Sequence, residues 1–379
     1  MPLRIFAVCL CLVPYLAGSA VQAASYNPGA RPPYASAILV EASTGAVLHG
    51  YRPTLRRSPA STQKILLELV VMDLLAQGKC SLTDSIRVSK RASRTGGSQV
   101  FLKEGEVFTL EELMHAVVLP SANDACVAVA EHLGGSVEGF AEMMMARARD
   151  LGLEDTYCVN VNGLDDTPDG QGNHTTAYDL AQIARTLITY PHVLEWSSST
   201  SLPFRNGRFV LHNTNKLLDQ FAGLDGLKTG YTGRAGFCLV ATGQRRGMRL
   251  ISVILGAPSE RVRRRETARL LAWGFENFSK APLVAAGEPV ARVPVSWGRE
   301  PEVPVTSADT VFVVLAPGQE RQLVRQLEVP ETHSAPVKAG QKLGVLRVSL
   351  GDSVVAQIDM VAARSVGRMG LLERILNIF

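Results

Sequence analysis

Three short polar motifs, widely separated along the chain, constrain this sequence more than any other feature. Ser61-Thr62-Gln63-Lys64 comes first, Ser121-Ala122-Asn123 about sixty residues later, and Lys228-Thr229-Gly230 roughly a hundred beyond that. A Ser-x-x-Lys alone is common by chance. The ordered set asks for a fold that returns the chain twice to one place, and it points to nucleophilic serine chemistry.

That chemistry sets requirements on the residues. A serine hydroxyl is a weak nucleophile and needs an adjacent base. Lys64 can serve only as a neutral amine, so its pKa must fall by several units from about 10.4. Burial and a second nearby cation both act in that direction, and Lys228 is the cation available if its strand lies beside the serine helix. An acyl-enzyme also needs backbone N–H donors for the oxyanion. The N–H of Ser61 is one candidate and that of Tyr231 the other, with Gly230 letting a ligand approach the strand. Ser121 is placed to relay a proton to the leaving amine, or to cap the helix after it, and Asn123 to hold a substrate amide.

Local patterns place the motifs. Ala37–Val40 and Ala46–Leu48 read as two strands about a turn. Pro59 stops extended structure, and Lys64 to Leu75 reads as a helix with Ser61 at its N-terminus and Lys64 one turn on. Helices are expected over 111–119, 125–133, 140–151, 179–190 and 265–278, and strands over 237–242 and 249–255 joined across Gly243–Gly247. Eight of the chain's twenty prolines fall between residues 280 and 340. Long helices are therefore excluded there, and the short apolar runs 311–315, 343–348 and 354–360 read as strands of a separate domain.

The two ends carry a different message. Arg4, the apolar run Ile5–Ala17 and Val21-Gln22-Ala23 make a secretory signal with cleavage after residue 23. The run is too short to span a bilayer comfortably, and export is the expectation. The mature chain would keep Cys80, Cys126, Cys158 and Cys238, which in an oxidising compartment permit up to two disulfides in three pairings; buried free thiols are the plainer reading, since Cys126 and Cys238 sit in apolar stretches and no Cys-x-x-Cys occurs. At the other end, Leu371, Leu372, Ile375, Leu376, Ile378 and Phe379 lie at helical spacing near Arg364, Arg368 and Arg374, the pattern of an interfacial membrane helix. The net charge of +4 suits an anionic wall or membrane surface and does not suggest a nucleic-acid binder.

Beyond the three motifs, Pro59-Ala60-Ser61, Asn160-Val161-Asn162-Gly163-Leu164, Thr175-Thr176-Ala177-Tyr178-Asp179, Asn213-Thr214-Asn215, Gly226-Leu227 before Lys228, and Arg263…Glu266 before Leu270-Leu271-Ala272-Trp273-Gly274-Phe275 complete a pattern. It resembles the low-molecular-mass penicillin-binding proteins that are serine D-alanyl-D-alanine carboxypeptidases. The resemblance is specific over residues 35 to 278 and weaker beyond. It implies an α+β fold, an antiparallel sheet flanked by helices and shared with serine β-lactamases, followed by a smaller all-β domain. The organisation implied is a signal peptide to 23, a catalytic domain over 24–278, a β-rich domain over 279–363 and a membrane-anchoring helix over 364–379. It also implies removal of the terminal D-alanine from peptidoglycan pentapeptide stems, with β-lactams acylating the same serine, at the periplasmic face of the membrane and without cofactor or metal. By motif position Ser61 is the nucleophile and Lys64 its base, and Ser121 relays the proton. Asn123, Lys228, Thr229, Gly230, Tyr231 and Arg263 bind substrate, Thr229 and Arg263 meeting the terminal carboxylate. Tyr231 departs from the subgroup, in which histidine is frequent at that place.

Competing functions are weaker on the residues. A class A β-lactamase needs a glutamate that positions the deacylating water, and no Glu-x-x-Leu-Asn element lies between the second and third motifs. A zinc peptidase needs clustered ligands, whereas the seven histidines are scattered without a His-Glu-x-x-His. The run Arg261-Val262-Arg263-Arg264-Arg265 could suggest nucleic acid, which export argues against. A D,D-endopeptidase would use the same residues, and a silent wall-binding protein would leave the motifs idle.

Overall fold

Apolar residues in short runs bounded by turn residues make strands, and strands buried on both faces need helices on either side. The computed structural model describes residues 26–27, 32–165 and 172–370; the signal-peptide segment lies outside them. Contacts divide the described chain into two units that meet between Ser279 and Lys280.

The first unit opens with β1 (Ser36–Glu41) and β2 (Val47–Tyr51). A single 3-10 turn, Ala60–Gln63, then carries Ser61 and runs straight into α1 (Lys64–Ala76). The regular helix thus starts at Lys64, and the serine sits in the tighter turn before it. A small hairpin of β3 (Ser85–Arg87) and β4 (Val107–Thr109) brackets the one-turn α2 (Lys90–Ser93). The helices α3 (Leu110–Val118), α4 (Asn123–Gly134) and α5 (Val137–Asp150) follow. Thr109 and Glu112 close a reciprocal capping box on α3, and Ser136 caps α5. Next come α6 (Ala177–Leu187), α7 (Pro191–Ser198) and the hairpin β5 (Ser201–Phe204)–β6 (Phe209–His212). The unit closes with β7 (Leu224–Thr232), β8 (Gly236–Arg245), β9 (Met248–Ala257) and α8 (Glu260–Asn277).

Five strands form one antiparallel sheet in the order β2-β1-β9-β8-β7, so the Lys228 strand is an edge. Side chains alternate across it. Ile38, Val40, Ile251 and Val253 join one core with α1, α3, α4 and α6. Leu39 and Leu250 face α8, and Gly274 lets them in: a Cβ there would lie 2.7 and 2.6 Å from their side chains. Full burial of each such Leu or Ile is worth roughly 1.5–3 kcal/mol. The β8–β9 hairpin is tighter than its sequence suggested. Both strands run through the expected loop to a two-residue turn, Arg246-Gly247, with φ of 49° and 75°.

The second unit is all β. It contains β10 (Ser279–Val284), β11 (Pro289–Ser296), β12 (Glu302–Ser307), β13 (Val311–Leu315), β14 (Leu323–Glu328), β15 (His333–Ser334), β16 (Lys342–Leu350) and β17 (Ser353–Ala362). Six strands pair as β14-β16-β17-β12-β11-β15 and two as β10-β13, around Val293, Val303, Val305, Val348 and Met360. The segment expected to begin a helix at residue 364 is instead extended as far as Gly370. Val366 is buried and bridges Val337, and Arg368 bridges Gly298. Residues 371–379 lie outside the described residues. No helix among the described residues is long and apolar enough to cross a membrane.

Candidate active site

The Ser61 turn is built by close backbone approach. Thr62 Oγ1 donates to Pro59 O at 2.5 Å, and two glycines press on the turn from other parts of the chain. Gly230 of β7 lies so near that a Cβ would sit 2.9 Å from Thr62 N and 3.0 Å from Ser61 N. Gly163, at φ 82°, would place a Cβ 1.9 Å from Ala60 O. The loop that carries it is braced by Asn160 Oδ1, which accepts from Gly163 N and Asn173 Nδ2, both at 2.9 Å. Gly163→Ala is therefore expected to displace the serine turn, since both the contact and the positive φ forbid a side chain. Displacement on the order of 1 Å costs about a hundredfold. The second-order rate of Ser61 acylation measures it, and a rate within twofold of wild type would refute the contact.

Lys64 is 1% exposed and points into the helical side of the unit. Its Nζ donates to Ser121 O, to Ser121 Oγ at 3.0 Å and to Asn123 Oδ1 at 2.6 Å. Ser121 holds a left-handed conformation, φ 66°, pinned on the far side by Ala122 N donating to Ala116 O and Asn123 N to Ser98 O. Such a conformation costs on the order of 1–3 kcal/mol and marks sites where the surroundings impose it. Ser121 does not cap α4; Ala122 is the residue before that helix and makes no side-chain cap. Asn123 is occupied at both ends, its Nδ2 donating to Gly96 O at 2.8 Å.

Lys228, 2% exposed, enters from β7. Burial lowers the Lys64 pKa, opposed by Cys126 and Asp124. Burial lowers Lys228 further, with the Lys64 charge adding to the effect. Repulsion between two ammonium groups is mutual, so the site favours one charged and one neutral lysine.

The rest of the third motif continues along β7. Thr229 Oγ1 lies 2.6 Å from Thr214 Oγ1, and Tyr231, 58% exposed, packs its ring on Phe237 at 4.3 Å. In α8, capped by Ser259, the helical period turns Arg261 and Arg265 to solvent and Arg263 inward. Arg263 Nη1 donates to Cys238 O at 3.4 Å, and Cys238 is the cross-strand neighbour of Gly230. Tertiary packing thus singles out one arginine of the cluster.

Several residues that shape the site carried no motif. Phe101 stands 67% exposed at φ 57°, an unusual state for an aromatic residue. Its flanks are clamped: Asp124 accepts from Val100 N and Leu102 N, and Arg205 donates to Val100 O and Phe101 O, both at 2.9 Å. Asp124 directly follows Asn123, which is the one hint the sequence held. Glu68, one turn beyond Lys64, is also buried.

The four described cysteines are free, and burial raises the thiols of Cys158 and Cys238 to about 12 and 11, which makes them poor nucleophiles. Among the described residues no His, Cys, Asp or Glu cluster could hold a metal.

Comparison with known proteins gives a consistent answer. Residues 30–259 match the family model described as D-alanyl-D-alanine carboxypeptidase, and residues 278–368 match that of the penicillin-binding protein 5 C-terminal domain. The D-alanyl-D-alanine carboxypeptidase DacF of Bacillus subtilis is 33% identical over 341 residues, covering 89% of this chain and 87% of that protein. Penicillin-binding protein 5 from Haemophilus influenzae superposes with a TM-score of 0.80 at 30% identity, over 90% of this chain and all of that one. Penicillin-binding protein D2 from Listeria monocytogenes, solved with ampicillin bound, matches 65% of this chain and all of its own, at 29% identity and a TM-score of 0.60.

Proposed function

The chain belongs to the D-alanyl-D-alanine carboxypeptidase family of serine peptidases, and from that membership we propose how its own residues perform the reaction. It is a penicillin-binding carboxypeptidase of the cell wall, acting on peptidoglycan stem peptides. Ser61 Oγ attacks the carbonyl between the last two D-alanines, and neutral Lys64 takes its proton. The N–H groups of Ser61 and Tyr231 hold the oxyanion, a pairing favoured by the contact of Gly230 with the Ser61 turn. Ser121, already bonded to Lys64 Nζ, passes the proton to the departing D-alanine amine. Asn123 holds Lys64 in line and faces the substrate amide. Lys228, Thr229 and Arg263 provide the positive, hydrogen-bonding side for the terminal carboxylate. Water then hydrolyses the acyl-enzyme.

The observation that carries this reading is the buried Lys64 bound to Ser121 and Asn123, beside a β7 edge pressed on the Ser61 backbone. Mass spectrometry of the mature protein with penicillin, and separately with a pentapeptide ending in D-Ala-D-Ala, tests it. A lasting penicilloyl adduct on Ser61 together with released D-alanine is expected. A rapidly lost adduct without D-alanine would mean a β-lactamase, and a lasting adduct without D-alanine an endopeptidase that needs cross-linked stems.

The same proposal covers the chain's ends: export through residues 1–23, and peripheral attachment to the outer face of the cytoplasmic membrane through residues 371–379. Support comes from the apolar spacing of those last nine residues beside Arg364 and Arg368. Deleting residues 371–379 should move the protein from the membrane pellet to the soluble fraction with its penicillin binding unchanged. Unaltered sedimentation would remove the anchor.

A further inference from the structure

A tryptophan stands open to water on the β-rich unit, beside the segment through which the chain leaves it. Trp297 lies in the turn between β11 and β12, 52% exposed, with a left-handed backbone at φ 61°. Bulky residues rarely keep that conformation, and tryptophan is highly buried on average. The surroundings impose both. Gly298 beside it is packed so tightly that a Cβ would lie 2.6 Å from Glu300 O and 2.9 Å from the side chains of Val295 and Val366. Gly298 N donates to Val295 O at 3.2 Å, and Ala335 N to Ser296 O at 2.9 Å. The extended segment after β17 holds the other side: Arg299 N donates to Gly367 O at 2.8 Å, and Met369 N to Trp297 O at 2.9 Å.

The two paired segments are basic. Arg299, Arg364 and Arg368 are exposed over 297–300 and 364–370, against one acidic residue, Glu300, which pairs with Arg364. Met369, bonded to the Trp297 carbonyl, comes two residues before Leu371, the first of the six apolar residues in 371–379.

We propose that Trp297, with Arg299 and Arg368, is a second membrane contact: the ring enters the interfacial layer of an anionic bilayer while the guanidinium groups meet lipid headgroup phosphates. The inference rests on the attachment through residues 371–379 read above, which it deepens.

Tryptophan favours the headgroup level, where one end of the ring system is in an apolar layer and the other is wet. Arginine near an anionic leaflet adds attraction. Nine residues with six apolar side chains are a weak anchor by themselves, and stable attachment takes two signals. A contact on the folded unit, tied to the start of that tail, meets the bilayer at high effective concentration once the tail has entered. This continuity with the tail favours a bilayer over a protein partner.

The test is co-sedimentation of the mature chain with vesicles of phosphatidylethanolamine and phosphatidylglycerol, and with vesicles of phosphatidylcholine alone. Trp297→Ala should weaken binding to the anionic vesicles by about tenfold or more, and Trp297→Phe, which keeps an aromatic ring, should recover most of it. A melting transition like that of wild type shows that each variant is folded. Quenching of tryptophan emission by lipids brominated near the top of the acyl chains reads the contact directly in wild type. Trp196 is buried, and Trp273 packs among Tyr26, His49 and Phe278, so the quenching should be lost in Trp297→Phe.

Binding of Trp297→Ala within twofold of wild type would overturn the proposal, as would equal binding to phosphatidylcholine. If Trp297→Ala does not fold, the quenching decides, and unquenched emission from vesicle-bound wild type would refute the contact. Attachment to cell membranes without vesicle binding would mean a protein partner and reject the lipid surface. Binding lost on deletion of 371–379 but kept in Trp297→Ala would leave the tail anchor standing and remove this contact. Binding kept on that deletion but weakened in Trp297→Ala would remove the tail anchor and leave Trp297 as the contact.

Discussion

Ser61→Ala is expected to give a folded protein that takes up no penicillin and releases D-alanine at a rate lower by at least about 10⁴-fold. Losing the nucleophile removes the covalent route entirely, while the oxyanion donors and binding groups remain and leave only their residual contribution. Folding should be spared. Ser61 lies in a turn held by Thr62, Pro59 and the two close glycines, and none of these contacts needs its hydroxyl. Mass spectrometry with penicillin and a D-alanine release assay measure the two losses. A penicilloyl adduct on the variant would place the nucleophile elsewhere.

Lys64→Gln is expected to be nearly as severe, lowering acylation by about 10³–10⁴-fold, the upper part of what a positioned base contributes. Glutamine can donate to Ser121 and Asn123 but cannot take the serine proton. The variant should also change how stability responds to pH. The folded-state pKa of Lys64 lies below its ordinary 10.5, so below that value the unfolded chain binds more protons. Lys64 thus costs stability at neutral pH, and the cost fades as pH rises toward 10.5. The variant lacks this group, so its melting temperature should gain less than wild type between pH 7 and 10. Acylation within tenfold of wild type would reassign the base. A wild-type slope in melting temperature would mean that Lys64 is not buried as a neutral amine.

Much of the molecule was legible from residue order. Five helices and the β8–β9 pair lay where runs and spacings of apolar residues put them, because those residues are the ones buried in the core, from one face in α6 and from all sides in α1, β8 and β9. Errors gathered at element ends, where local and distant contacts compete. Helix α8 starts at Glu260 rather than 265, since the Ser259 cap outweighs the polarity of the arginine run. Ser121 was open between a cap and a relay. Its left-handed backbone, set by contacts to Ala116 and Ser98, removes the cap.

The sequence by itself determined the chemical parts: a serine with a lysine three residues on, a second lysine at the head of a Thr-Gly strand, and the family pattern that joins them. These are properties of residue type and short spacing, which a linear chain displays directly. Only the tertiary structure decided what charge those parts carry. It buried Lys64 and Lys228, turned Arg263 inward from its neighbours and pressed Gly163 and Gly230 against the serine turn. The reason is physical. A side chain's proton affinity depends on the water it has lost and the charges folded around it, and residues a hundred or more positions away supply both.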